Sequence, residues 1–180
     1  MSLRPHFSVE WTARSPRPEK NMQRLIRLAT QEDLDQCVYI AGVFHEGSQF
    51  KDVTTYQPAD AHEFAAATLN NPDRIFLVYE KEGVVVGFFI AGKRPVVWNA
   101  GEEVSSEELF YILPEHKSAR VALKFFRIWE KWCRDNQVLF MSFCPTSFVD
   151  HNVDRWDSFC HAIDFQRGGV YYKKVLKNAD

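Results

Sequence analysis

The chain has 180 residues, of which 46% are hydrophobic and 26% charged, with five Trp and fifteen Phe. This excludes a disordered chain and suffices for one domain whose core needs neither a disulfide nor a structural metal. A formal net charge of -2 exerts no overall pull on nucleic acid or an anionic membrane, so any such partner has to be met by a local patch. Cys37, Cys133, Cys144 and Cys160 lie far apart, with no C-x-x-C pair and no histidine at zinc-ligand spacing, which reads as reduced thiols in a cytoplasm and no metal site. No run approaches the roughly eighteen apolar residues of a membrane span, and the N-terminus lacks the apolar stretch of a secretory signal.

Residues 1–22 carry Pro5, Pro16, Pro18 and scattered Arg, and read as an irregular arm, with Phe7 and Trp11 as its anchors, before a single domain over 23–180. Leu25 to Ala29 reads as a short strand. Thr30 then caps a helix and Asp33 answers it; Leu34, Cys37, Val38 and Ala41 recur on one helical face until Gly47. His45 to Tyr56 reads as a polar loop, and a second helix starts at Pro58 and stops at Asn70-Asn71-Pro72. Ile75 to Glu80 and Val84 to Ala91 flank Lys81-Glu82-Gly83 as a β-hairpin. Pro95 to Glu103 reads as a loop, and Glu107 to Leu113 as a strand stopped by Pro114. Residues 116–135 place Ala122, Phe125, Phe126, Trp129, Trp132 and Cys133 on one stripe of a long helix. A buried strand over Val138 to Phe143, a helix over Asp154 to Ala162 and a closing strand over Gly169 to Leu176 complete the pattern. The order implies an α/β (α+β) fold with a mixed, largely antiparallel central sheet and helices on both faces.

Chemistry concentrates at Glu107 to Ala122, a strand, a tight loop and a helix N-terminus. Unpartnered N–H groups and the helix dipole make such a junction an anion site, to which Lys117 and Arg120 add full charges. Here the sequence resembles the GNAT superfamily of N-acetyltransferases, whose pyrophosphate motif runs (R/Q)-x-x-G-x-(G/A). Lys117 takes the Arg/Gln position, Ala122 the last small position, and Arg120 stands at the usual glycine, where it either crowds the pyrophosphate or swings out to pair with it. The resemblance spans about 24–176 and includes Ile26 to Leu34, like the first strand and helix of the superfamily, and Phe159 to Phe165, like a diverged form of its F-Y-E-K-L-G-F segment.

The resemblance implies acetyl-CoA as cosubstrate and direct acetyl transfer to an amine acceptor, a small molecule or a protein. Backbone groups of Ile112 and Leu113 would hold the acetyl and pantetheine portions, and N–H groups of Lys117, Ser118, Ala119, Arg120, Val121 and Ala122 the pyrophosphate. Glu108 is the candidate base, since strand alternation puts it on one face with Phe110 and Ile112; the plain alternative is that Glu107 and Glu108 are solvated. Cys160 occupies the position of the tyrosine that often protonates the departing thiolate, and reads either as that acid or as a structural thiol. The basic ridge Lys117, Arg120, Lys124, Arg127, Lys131 and Arg134 reads first as a solvated face; the alternative is that its N-terminal end holds CoA phosphates and the remainder meets an acidic partner or nucleic acid. His45, Glu46, Gln49 and Asp52, with His151 and Asn152, are candidates for the acceptor side. Two alternatives stand beside the acetyltransferase: a GNAT-fold enzyme modifying a nucleic-acid base, and a non-catalytic CoA-binding or interaction module. Trp and Phe beyond the core positions leave room for a homodimer face.

Overall fold

Alternating apolar residues in three adjoining strands build the sheet that positions everything else. The computed structural model describes residues 24–145, 153–169 and 174. Its strands β1 (Arg24–Leu28), β2 (Arg74–Lys81), β3 (Val84–Val96), β4 (Asn99–Ile112) and β5 (Met141–Ser142) lie side by side in chain order. All pairs are antiparallel except β4 with β5, which is parallel. The β2–β3 turn uses Glu82 and Gly83, both at positive φ (57° and 81°), the two-residue geometry whose twist matches that of the strands it joins.

Helices α1 (Leu34–Glu46) and α2 (Pro58–Leu69) cover one face, and α3 (Ala119–Asp135) the other. The period of two along β2 sorts the core accordingly: Phe76 and Val78 pack under α1 and α2, whereas Ile75, Leu77 and Tyr79 meet α3. Asp33 accepts hydrogen bonds from the Thr30 backbone N–H (2.7 Å) and hydroxyl (3.0 Å), inside a single 3-10 turn that precedes α1. It is also held by Arg27, at 2.7 and 2.9 Å, so the helix start is tied to β1. The expected stripe of α3 is buried at Ala122, Phe125, Phe126, Trp129 and Cys133, and half-buried at Trp132. Full burial of Phe125 and Trp129 contributes roughly 2–3 kcal/mol each. Trp129 Nε1 donates to Ser105 Oγ (2.9 Å), which donates to Gly92 O (2.9 Å), fastening α3 to β4 and β3.

The expected loop over Pro95 to Glu103 is instead the far end of the β3–β4 hairpin, with Pro95 paired to Glu103 and only Val97 and Trp98 turning. Proline is tolerated because Lys93 N–H, two residues earlier, already points past β3 to Asp73 O on the β2 side; β2 starts at Arg74, so Pro95 faces an edge where no ladder bond is lost. The segment expected to be a loop from His45 contains the last residues of α1 and a short 3-10 turn at Gln49–Asp52. The strand expected over Val138 to Phe143 is in ladder register only at Met141 and Ser142, preceded by two backbone bonds to β4, Leu139 N–H to Glu103 O (2.9 Å) and Ser105 N–H to Phe140 O (3.0 Å). Helix α4 (Val153–His161) lies where one was expected. The N-terminal arm, His151, Asn152 and most of the expected closing strand lie outside the described residues.

Candidate active site

Two neighbouring strands part company here. The pairing of β4 with β5, Ser105 with Met141 and Ser106 with Ser142, ends at Ser106, while β4 runs on to Ile112. Leu113 N–H donates to Val86 O (2.9 Å), so the alternation of an antiparallel ladder turns the backbone groups of Ile112 and Phe110 away from β3, toward the edge that β5 has left. A cleft of about 380 Å³ opens there, lined on one side by Phe110, Tyr111 and Ile112 and on the other by Arg155, Trp156, Ser158 and Phe159 of α4.

The start of α3 closes the end of this cleft with Lys117, Ser118, Ala119 and Ala122. Ser118 caps the helix: its Oγ accepts from Val121 N–H (3.2 Å), and its carbonyl accepts from Val121 and Ala122 N–H (3.1 Å each). Two of the N–H groups assigned to pyrophosphate from sequence are therefore spent inside the helix, and Val121 is a core side chain. Ala119 and Arg120, the first two helical residues, have no acceptor one turn earlier, which leaves their N–H groups facing outward. The Ser118 hydroxyl keeps its own hydrogen to donate. Lys117 Nζ sits 5.0 Å above the Tyr111 ring, which holds its charge at the cleft. Arg120 is exposed and does not line the cleft. Leu113 is half-buried against both core clusters rather than in the cleft.

The carboxylates correct the sequence reading. A β-bulge sets Glu107 opposite Ala91 and Leu109 opposite Ile90, so Glu108 is the extra residue and alternation breaks at it. Phe110 packs toward α3, but the Glu108 carboxylate lies on the α2 face, 3.3 Å from Arg74 Nε. Gly92 makes room for it, since a Cβ there would stand 2.6 Å from Oε1. Glu108, Phe110 and Ile112 thus do not share a face. Glu107, one residue beyond the last β4–β5 pair, occupies the fork, close enough to Cys144 for its charge to act on that thiol. Burial first, and the neighbouring Glu108 second, push the Glu107 carboxyl up to about 7. It makes no hydrogen bond or ion pair with the described residues.

Cys160 sits on α4 but does not line the cleft, where Trp156 and Phe159 stand instead. Burial, with Asp157 adding to it, holds its thiol above the ordinary value. The sequence reading did not single out Tyr111 and Trp156 as site residues, because neither strand nor helix periodicity says which face borders an empty space. On the basic ridge, Lys131 pairs with Asp135 (2.7 Å) and Arg134 with Glu130, so its C-terminal turns are neutralised. Across β4 from the cleft, a second cavity of about 420 Å³ lies between α1, α2 and the sheet, with His45 in its wall.

No protein-family model matches the sequence, and no curated protein matches it. Solved structures do match in three dimensions. Aminoglycoside N-acetyltransferase AAC(6')-Iy in complex with CoA aligns with a TM-score of 0.66 at 16% identity, over 87% of this chain and 97% of that one. A predicted acetyltransferase from Clostridium acetobutylicum with acetyl-CoA aligns at 0.63 and 11%, over 86% and 97%. A transcriptional regulator from Bacillus halodurans aligns at 0.69 and 13%, over 84% and 99%. The order of strands and helices, the parting of β4 from β5 and this agreement over nearly the whole described chain lead to one conclusion: the chain has the GNAT fold, as the sequence resemblance implied.

Proposed function

We propose that this protein is an acetyl-CoA-dependent N-acetyltransferase that passes an acetyl group directly to an amine. The observation that carries the reading is the fork itself: a strand edge with unpaired backbone groups leads to a capped helix start whose free N–H groups suit a pyrophosphate. Structural neighbours solved with CoA or acetyl-CoA support that ligand, and the aminoglycoside N-acetyltransferase among them supports an amine as acceptor. Acetyl-CoA would supply the activated acyl carbon. N–H groups at Phe110 and Ile112 would polarise its carbonyl, while Ser118, Ala119, Arg120 and Lys117 hold its phosphates.

Glu107 is the base we favour over Glu108. It stands in the fork, has no cationic partner among the described residues, and with a pKa of about 7 it accepts a proton near neutrality, whereas Glu108 is engaged by Arg74. The amine proton passes to Glu107 as nitrogen bonds to the acyl carbon, the carbon–sulfur bond breaks, and the thiolate leaves to take a proton from solvent. Cys160, outside the cleft lining, is not needed for that last step. Among the described residues no helix is long and apolar enough to cross a membrane, and we place the activity in the cytoplasm because its cysteines are unpaired.

The test is calorimetric titration of acetyl-CoA into the protein and into Ala119→Glu. The variant puts a carboxylate among the phosphate-binding groups; at about 5 Å and an effective dielectric near 20, one such charge pair costs roughly 3 kcal/mol, about 200-fold in affinity. The same charge suits a helix start, so Tm should hold or rise slightly. Equal affinity of the two proteins would remove the phosphate site from α3, and no binding by the unaltered chain would leave the fold without the activity.

A further inference from the structure

The fork between the two strands is closed by aromatic rings. Phe110 belongs to the prong that β4 continues, and Phe143 follows directly on Ser142, the last paired residue of the other prong. Trp156 of α4 lines the cleft and reaches both. Its ring centre lies 6.2 Å from that of Phe110, edge-on, and 5.4 Å from that of Phe143, tilted by 60°. One indole therefore spans the gap that the parting strands open.

Neighbouring rings hold the indole in place. Phe159, three residues further along α4, stands edge-on to it at 5.7 Å. Phe126 of α3 meets Phe143 at 4.9 Å and Phe159 at 5.4 Å, edge-on in both cases, and is itself only 2% exposed. The rings that brace Trp156 are thus fixed to the core, and edge-to-face contacts at such spacings attract beyond the area they bury. Trp156 stays half-buried, with its free side on the cleft.

This wall stands where a long acyl chain would have to go. With the carbonyl on the N–H groups of Phe110 and Ile112, the pantetheine arm leads from sulfur to the start of α3. A thioester carbon is planar and carries its acyl tail on the side away from that arm, which is the side where the strands converge. Acetyl ends there in one methyl, whereas every further methylene has to displace a braced ring. A cleft of about 380 Å³, near the lower end for ligand sites, offers little room to turn aside. We infer that Trp156 is a specificity residue, the wall that restricts the acyl donor to a short chain. The inference rests on the acetyl transfer proposed above.

Calorimetry with CoA, acetyl-CoA and hexanoyl-CoA on the full chain tests it. The unaltered protein should bind hexanoyl-CoA at least about tenfold more weakly than acetyl-CoA, the discrimination that a single excluded methylene can carry. In Trp156→Ala the order should reverse by about tenfold, because the longer chain fills the space that the indole leaves. Trp156→Leu keeps an apolar contact for the neighbouring rings and should bring the two donors within about threefold of each other. Free CoA has no acyl chain and reports whether each variant keeps the site, while the comparison in the unaltered protein needs no variant. Equal binding of the two donors by the unaltered protein, or a preference for acetyl kept by variants that still bind CoA, would overturn the inference and leave the transferase reading intact. Failure of CoA itself to bind the unaltered protein would sink that reading, and the acyl wall with it.

Discussion

Replacing Glu107 by Gln probes the fork through stability as well as turnover. The folded protein raises this carboxyl from its ordinary 4.5 to about 7, chiefly by burial. A raised carboxyl means that the fold prefers the protonated form, so its stability is full below pH 4.5 and declines as pH climbs to 7. The decline is on the order of 3 kcal/mol, an upper figure because the half-buried side chain still reaches some water. Glutamine keeps the shape and never ionises. Glu107→Gln should therefore be more stable than the unaltered protein by about 3 kcal/mol at pH 8 and by only about 1 kcal/mol at pH 5, read from urea midpoints at each pH. Its kcat should fall at least a hundredfold, roughly the weight of a general base, and the rise of kcat/KM with pH near 7 should disappear. A stability difference that does not change between pH 5 and pH 8 would show that Glu107 ionises freely, and would remove it as the base.

Asp33→Asn should cost about 2 kcal/mol at pH 7, toward the lower end for a partly buried pair because Arg27 keeps Glu80 at 2.8 Å. Arg27 and Thr30 hold the Asp33 carboxyl below its ordinary value, so this contribution is present above pH 3.8 and is lost as pH falls through the lowered pKa; melting curves of the two proteins should converge at low pH. Ser105→Ala should cost about 2 kcal/mol in urea denaturation, because it leaves the buried Trp129 N–H without an acceptor.

Much of the scaffold could be read from residues whose effect is local. The Thr30–Asp33 pair, the Glu82–Gly83 turn and the aromatic stripe of α3 act within a few residues of themselves and appear where the sequence puts them. The strand, tight loop and helix start at the end of the cleft were legible for the same reason, each being set by a few neighbouring residues. The Glu107–Glu108 bulge was not, because an inserted residue has no periodic signature and alternation counts straight through it. Nor could Ser118 be seen to consume Val121 and Ala122 N–H, since the cap depends on which residue opens the helix. The hairpin end at Val97 and Trp98 was hidden by Pro95, whose cost depends on whether a third strand lies beside it.

That bulge makes one strand serve two chambers. Phe110 and Ile112 look toward α3 and the cleft, whereas Glu108 is delivered to Arg74 on the α2 face, where the Arg74 guanidinium also lies 5.1 Å over the Phe64 ring. Phe64 in turn lines the second chamber, so the Glu108–Arg74 pair borders that chamber and not the cleft. Gly92→Ala exploits this separation. The added Cβ would stand 2.6 Å from Glu108 Oε1 and must displace the carboxylate, which is the far end of a flexible side chain, so the fold should lose only about 1 kcal/mol. With Glu108 displaced, Arg74 is freed to shift on Phe64, while the Kd of acetyl-CoA should stay put. A loss of acetyl-CoA affinity would mean that the two faces of β4 are not separate, and that the bulge shapes the cleft itself.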